Sequence, residues 1–216
     1  MLWADHRIRL LAAAFSAVAG YVDAIGFLLT GGFFVSFMSG NTTRLGIGLA
    51  EDVSHAGVAA LLLVTFVVGV MLGALTGRIS KAHRRPAVLG LVTSLLASAV
   101  VLHWLGAGTW VAIPLVLAMG AENTVFVEDG EVRIGLTYMT GTLVKLGKKL
   151  TAALLGGDRY GWAPFLLLWT GLLTGAIFGA LAYRVFGPSA LVGAAAVMGG
   201  LTLVTVMMGP DRRSDG

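Results

Sequence analysis

No cysteine occurs in the 216 residues, which excludes disulfides, thiolate metal ligands and a cysteine nucleophile. Histidine is scarce: His6, His55, His83 and His103 are scattered through the first half with no two at metal-ligand spacing, so no metal site is expected. Charge is the third scarcity. Charged residues make up 12% of the chain against 57% hydrophobic ones, and the mean hydropathy is +0.88, too apolar to cover a water-facing surface. The chain also lacks a Walker A sequence, a dinucleotide fingerprint and any nucleophile–base constellation, so it reads as no enzyme and implies no cofactor. The sequence pI of about 9.8 arises from basic loops beside anionic lipid and does not imply nucleic acid.

What is present belongs in a lipid bilayer. Uncharged runs at 56–77, 160–183 and 185–210 each exceed the ~20 residues that a helix needs to cross a ~30 Å hydrocarbon core. Residues 86–105 carry only His103, while 9–29 and 109–127 are interrupted by acidic or amide residues. Arg7 and Arg9 before an apolar stretch, with Ala17-Val18-Ala19 after it, imitate a signal peptide. The apolar run continues to Leu29, so it is read as an uncleaved first span.

The chain says nearly the same thing twice. Met-Ser-Gly-Asn-Thr-Thr-Arg-Leu-Gly at 38–46 returns 101 residues later as Met-Thr-Gly-Thr-Leu-Val-Lys-Leu-Gly at 139–147. Gly20 and Asp23 match Gly120 and Asn123 at an offset of 100, and Gly69, Gly73 and Gly77 match Gly171, Gly175 and Gly179 at 102, as do Pro86 and Leu89 with Pro188 and Leu191. Two homologous halves follow, 1–107 and 108–216, forming one transmembrane domain. Each half holds four segments, at about 8–29, 31–50, 56–78 and 86–106, then 108–127, 132–155, 160–183 and 187–209. The glycine stripes have the small-xxx-small spacing of closely packed membrane helices, joining either the halves or two protomers of a homodimer.

Loop charge addresses the topology. Arg78, Lys81, Arg84 and Arg85 form the most basic loop, which places it in the cytoplasm together with Arg7 and Arg9. Both become cytoplasmic if 31–50 dips in and returns or continues a broken helix. The same arrangement sets Glu51 and Asp52 outside and Lys148, Lys149, Arg159, Arg212 and Arg213 inside. The expected fold is therefore an all-α polytopic membrane protein, an inverted 3+3 repeat of six full spans with a broken or re-entrant motif segment in each half. Eight parallel-repeat spans are the alternative. The expected location is the bacterial inner membrane with both termini cytoplasmic.

The Gly-Tyr-Val-Asp-Ala stretch from Gly20, Met-Ser-Gly-Asn-Thr at 38–42, Glu-Asn-Thr from Glu122 and Met-Thr-Gly-Thr at 139–142 resemble the YoaK-like family. Its members are bacterial integral membrane proteins defined as a domain of unknown function and usually described with six spans. The resemblance covers nearly the whole chain and implies the span count, but no reaction or substrate. Ser39 stands where the family pattern has Thr, and Glu122, where Gln is common, adds a charge within a span.

The polar residues inside the spans are the candidate solute-binding site. Asp23, Glu122 and Asn123 lie ~20 Å into their helices, where a carboxylate needs a partner, a cation or water. Gly40 and Gly141 are expected to interrupt their helices, setting Ser39, Asn41, Thr42, Thr140 and Thr142 at new N-termini that attract anions, with Arg44 and Lys145 reinforcing that field. The plainer reading is a set of structural pairs, Asp23 with Arg44 and Glu122 with Lys145, and hydroxyls that cap a kink. The leading expectation is a secondary transporter or channel-like protein for a small polar solute, anions included. A non-transporting scaffold, partner subunit or sensor is the alternative.

Overall fold

The computed structural model describes residues 6–128, 131–132 and 135–209. Eight α-helices carry the described part of the fold: α1 (His6–Leu29), α2 (Met38–Glu51), α3 (Val53–Ser80), α4 (Arg84–Trp104), α5 (Ala112–Glu122), α6 (Met139–Leu154), α7 (Ala163–Phe186) and α8 (Leu191–Met207). A two-residue antiparallel pair, β1 (Val127–Glu128) with β2 (Glu131–Val132), lies between α5 and α6. Four stretches among the described residues are long and apolar enough to cross a membrane: His6–Leu29, Val53–Ser80, Arg84–Trp104 and Ala163–Met207. The last is α7 and α8 joined by a 3-10 turn (Gly187–Ala190) that opens on Gly187 at φ 57°, backbone that glycine adopts without a Cβ clash.

Several boundaries differ from the sequence expectation. The segment expected at 31–50 starts its helix only at Met38, and the one expected at 132–155 starts at Met139. The span expected at 108–127 is a 3-10 turn (Gly108–Val111) followed by 11 residues of α5. Its whole apolar stretch, Gly108–Glu122, reaches only ~22 Å and falls short of the bilayer core. Arg212 and Arg213 lie outside the described residues.

The contacts fix the helix directions. Gly171, Gly175 and Gly179 of α7 lie against the backbone of Ala13, Ala17 and Tyr21 of α1, so these helices are parallel. Gly69 and Gly73 of α3 lie in the same way against Leu117 and Ala121 of α5, a second parallel pair. Side chains at these glycines would overlap a neighbouring carbonyl, which is why the seams require them. The α4 and α8 helices are antiparallel: His103 meets Ser189 at 3.1 Å near one end and Thr93 meets Thr202 at 3.0 Å further along. Tight turns fold α3 back onto α4, and Arg85 beside Phe126 fixes α5 as antiparallel to α4. Hence α1, α4 and α7 run one way and α3, α5 and α8 the other.

Packing pairs the glycines by contact. Gly69 meets Leu117 as Gly175 meets Ala17, and Gly73 meets Ala121 as Gly179 meets Tyr21, so glycines in like contacts stand 106 residues apart, where the sequence match has 102. Lys81 and Gly187, also 106 apart, are the positive-φ residues of the two turns that follow. The longer connection at 155–162, against Asp52 alone between α2 and α3, absorbs the extra turn. Both glycine seams close within one chain.

Candidate functional site

The site begins where α1 ends. Residues 30–37 double back along the last turns of α1, with Val35 packed on Gly26 where a Cβ would collide with it. Asp23 Oδ1 accepts hydrogen bonds from the amides of Val35 at 2.9 Å and Ser36 at 2.7 Å, which holds this rising loop in place. The buried Asn41 side chain grips the loop from α2, accepting from Phe34 N at 3.0 Å and donating to Phe34 O at 2.7 Å. A backbone that would otherwise be unpaired within an apolar chain is thereby satisfied by two side chains.

A similar clasp lies after α5. Asn123 donates to Thr137 Oγ1 at 2.9 Å and accepts from it at 3.1 Å, at positions matching Asp23 and Ser36. The N-caps Phe37 (φ −88°, ψ 76°) and Tyr138 (φ −84°, ψ 67°) have nearly the same backbone. Gly40 and Gly141 do not interrupt their helices. Each lies within the first turn of its helix under the ring of Phe37 or Tyr138, where any Cβ would overlap the aromatic carbons, and the break precedes Met38 and Met139.

Between α2, α3 and the doubled-back loop lies an open cleft of about 660 Å³, lined by Phe33, Gly40, Thr43, Arg44, Ile47, Gly48, Glu51, Asp52 and His55. The Arg44 guanidinium carbon sits 5.3 Å from the Phe33 ring centre and 5.8 Å from that of Phe27, held by cation–π attraction to both faces. Arg44 has no carboxylate partner: the ion pair found among the described residues is His55 Nδ1 with Asp52 at 2.5 Å. Asp52 also accepts from the amide of Ser54 at 2.9 Å and its hydroxyl at 2.6 Å, capping α3. The Ser54 hydroxyl first, then His55, hold the Asp52 carboxyl down at about 2, so it is an anion across the ordinary pH range. His55 in turn stacks on Phe33, 6.1 Å between ring centres, the ring that Arg44 also meets.

Arg44 and Gly40 are the sequence-chosen residues that line this cleft. Ser39, Thr42 and Thr140 are exposed, with the Thr42 hydroxyl bonded to Met38 O at 2.9 Å. Thr142 is buried and donates to Tyr138 O at 3.2 Å. Lys145 is exposed, and Glu122 is 0% exposed with no hydrogen-bond partner for either carboxylate oxygen. Neither expected ion pair forms: Asp23 is committed to the loop amides and Arg44 to the two rings, while Glu122 and Lys145 stand apart. Of Asp23, Arg44, Glu122 and Lys145, this cleft is lined by Arg44.

Sequence reasoning missed Phe27, Phe33, Glu51, Asp52 and His55. One signal was available, since Asp52, Ser54 and His55 form a capping sequence before a long apolar run, in which an i,i+3 carboxylate and imidazole meet. Among the described residues no cluster of three His, Asp or Glu side chains has the arrangement of a metal site.

The apolar helices and buried polar clasps define a multi-pass helical membrane protein. The family model described as "Protein of unknown function (DUF1275)" matches residues 11–204, and the chain belongs to that family. It is similar to the "UPF0700 transmembrane protein RA0705" of Rhizobium meliloti (strain 1021), 38% identical over 186 residues that cover 84% of this chain and 78% of the relative. No solved structure matches.

Proposed function

We propose that this protein is a secondary transporter for small organic anions, built as an inverted 3+3 repeat in the bacterial inner membrane with both termini on the cytoplasmic side. The observation that carries the reading is Arg44, a guanidinium with no carboxylate partner among the described residues, in a cleft of about 660 Å³ whose other charges are Glu51 and the mutually paired Asp52 and His55. Its five donors form a fork suited to a carboxylate, and the rings of Phe27 and Phe33 hold that fork without neutralising it. Phe33 and Ile47 offer apolar contact beside the fork, which favours an anion with a small apolar body over a bare inorganic ion.

The inverted repeat is supported by the helix directions, down–up–down for α1, α3 and α4 and the reverse for α5, α7 and α8. It is also supported by the matched clasps Asp23–Ser36 and Asn123–Thr137. In this arrangement α2 and α6 continue their broken first spans, α5 is the short fourth of six spans and the Arg44 cleft opens outward. The basic turn of Arg78, Lys81, Arg84 and Arg85 then faces the cytoplasm.

The test uses purified protein in liposomes with labelled lactate and benzoate as probes, alongside their effect on the unfolding temperature. Wild type is expected to take up or bind at least one of them. Arg44→Gln is expected to weaken binding about 10- to 100-fold through loss of a charge-assisted contact, and Arg44→Lys to recover only part of it. Equal binding by wild type and Arg44→Gln, or no carboxylate bound by folded wild type, removes this reading in favour of a non-transporting scaffold.

A further inference from the structure

A second polar feature lies away from the cleft. Glu122, the last residue of α5, is 0% exposed, and neither carboxylate oxygen has a hydrogen-bond partner among the described residues. By the register of Gly120 on Gly20 and Asn123 on Asp23, the matching position in the first half is Val22, also 0% exposed. The same buried place thus accepts an apolar side chain in one half and an acid in the other, so packing alone does not call for the acid. A buried carboxylate without donors costs several kcal/mol in such surroundings, whereas the neutral acid costs far less.

The surroundings supply a route and a counter-charge. Ala121 lies against Gly73, which sets Glu122 ~10 Å from the end of α3 at Ser80. At that end α4 brings Arg84, whose Nη2 lies 3.4 Å from Thr124 O and whose buried Nε has no partner, and Arg85, 5.6 Å from the Phe126 ring. From the other helices packed on α5, Arg78 of α3 and His6, Arg7 and Arg9 of α1 are the basic residues toward this end, with Lys81 and His83 in the turn between α3 and α4, while Asp23 of α1 is at the opposite end. Beside Glu122, the Asn123–Thr137 clasp and the α3–α5 glycine seam are the contacts that part if α5 moves.

We propose that Glu122 is a proton-carrying site, protonated in the conformation described and discharged toward the basic end of the bundle when the α3–α5 seam opens. In the discharge the Oε–H bond breaks, the proton passes to water at that end and the electron pair stays on the carboxylate, which Arg84 then faces. No oxidant or reductant is involved. The assignment rests on the transporter reading for its role in a cycle, but not for its chemistry.

Infrared spectroscopy of the full chain in liposomes tests it without any solute. Wild type is expected to show the carbonyl stretch of a protonated carboxylic acid, which shifts in D₂O and disappears as pH is raised. Glu122→Gln and Glu122→Val are both expected to stay folded, by unfolding temperature, and to lose that band entirely. A band that survives in both variants, is absent from wild type at every pH, or neither exchanges nor titrates overturns the proposal. So does failure of both variants to fold, which would make the acid structural. A titrating Glu122 band alongside unchanged carboxylate binding in Arg44→Gln would retain the proton site while rejecting the anion reading.

Discussion

Asn123 and Thr137 exchange two hydrogen bonds, at 2.9 and 3.1 Å, in the place where the first half sets Asp23 against the amides of Val35 and Ser36. A neutral amide and a carboxylate thus do the same mechanical job, tying the loop before a motif helix to the end of the preceding span. This equivalence gives Asp23 a structural role that needs no titration.

Asp23→Asn is accordingly expected to cost less than about 1 kcal/mol, because Oδ1 alone accepts both amide bonds and the amide side chain keeps that oxygen. Asp23→Ala strands two buried donors and is expected to cost about 2–4 kcal/mol. Denaturant titration of the detergent-solubilised variants measures both. A large loss in Asp23→Asn, or a changed pH dependence of solute uptake in that variant, would return Asp23 to the list of working titratable groups.

The pH dependence of the cleft follows from Asp52. Its folded-state value of about 2 lies below that of an unfolded aspartate, ~3.9, so its stabilising contribution is complete above ~4 and is lost as pH falls through about 2. Asp52→Ala is expected to lower the unfolding temperature near neutral pH by removing both the α3 cap and the His55 contact. The gap from wild type should narrow steadily in acid. A gap that widens as pH falls contradicts the assignment.

The two seams give a sharper test of the fold. At Gly175 a Cβ would overlap the Ala17 carbonyl oxygen, so Gly175→Ala must push α7 away from α1 and is expected to cost about 1–3 kcal/mol. Gly69→Ala meets the Leu117 carbonyl in the same way. Gly90→Ala in α4 is the control, since nothing lies within 4 Å of its Cβ, and it should stabilise by about 0.5–1 kcal/mol through helix propensity. Equal effects at Gly175 and Gly90 would mean that the seam is not close-packed.

What the residues disclosed follows from how local each cause is. The glycine stripes were legible because close helix approach demands bare Cα atoms at fixed spacing, and Gly171, Gly175 and Gly179 all sit in a seam. Their partners were not, because a stripe with a four-residue period reads equally well one turn displaced. The break in each first span was legible from its polar residues, but its place was misread. Gly40 and Gly141 look like helix breakers, while their actual purpose, room for an aromatic ring three residues earlier, depends on the fold of the cap. The aromatic cradle of Arg44 was hidden for a similar reason, since Phe27 and Phe33 reach it only after residues 30–37 double back.

Lys81 offers the last check, on the turns that reverse the chain at the basic end and its opposite. It is the non-glycine residue with positive φ among those described, at φ 40° and ψ −100°, while Gly187 holds the matching turn at φ 57° and ψ −147°. A Cβ in that region clashes with the backbone at a cost of about 1–3 kcal/mol. Replacing Lys by Gly removes the clash but frees the unfolded chain by about 0.5–1 kcal/mol. Lys81→Gly is therefore expected to stabilise by about 1 kcal/mol, and Gly187→Lys to destabilise by a similar or larger amount. Unfolding temperatures of the two single variants measure this pair, and a destabilised Lys81→Gly would show that the lysine side chain, not the backbone bend, sets the worth of that turn.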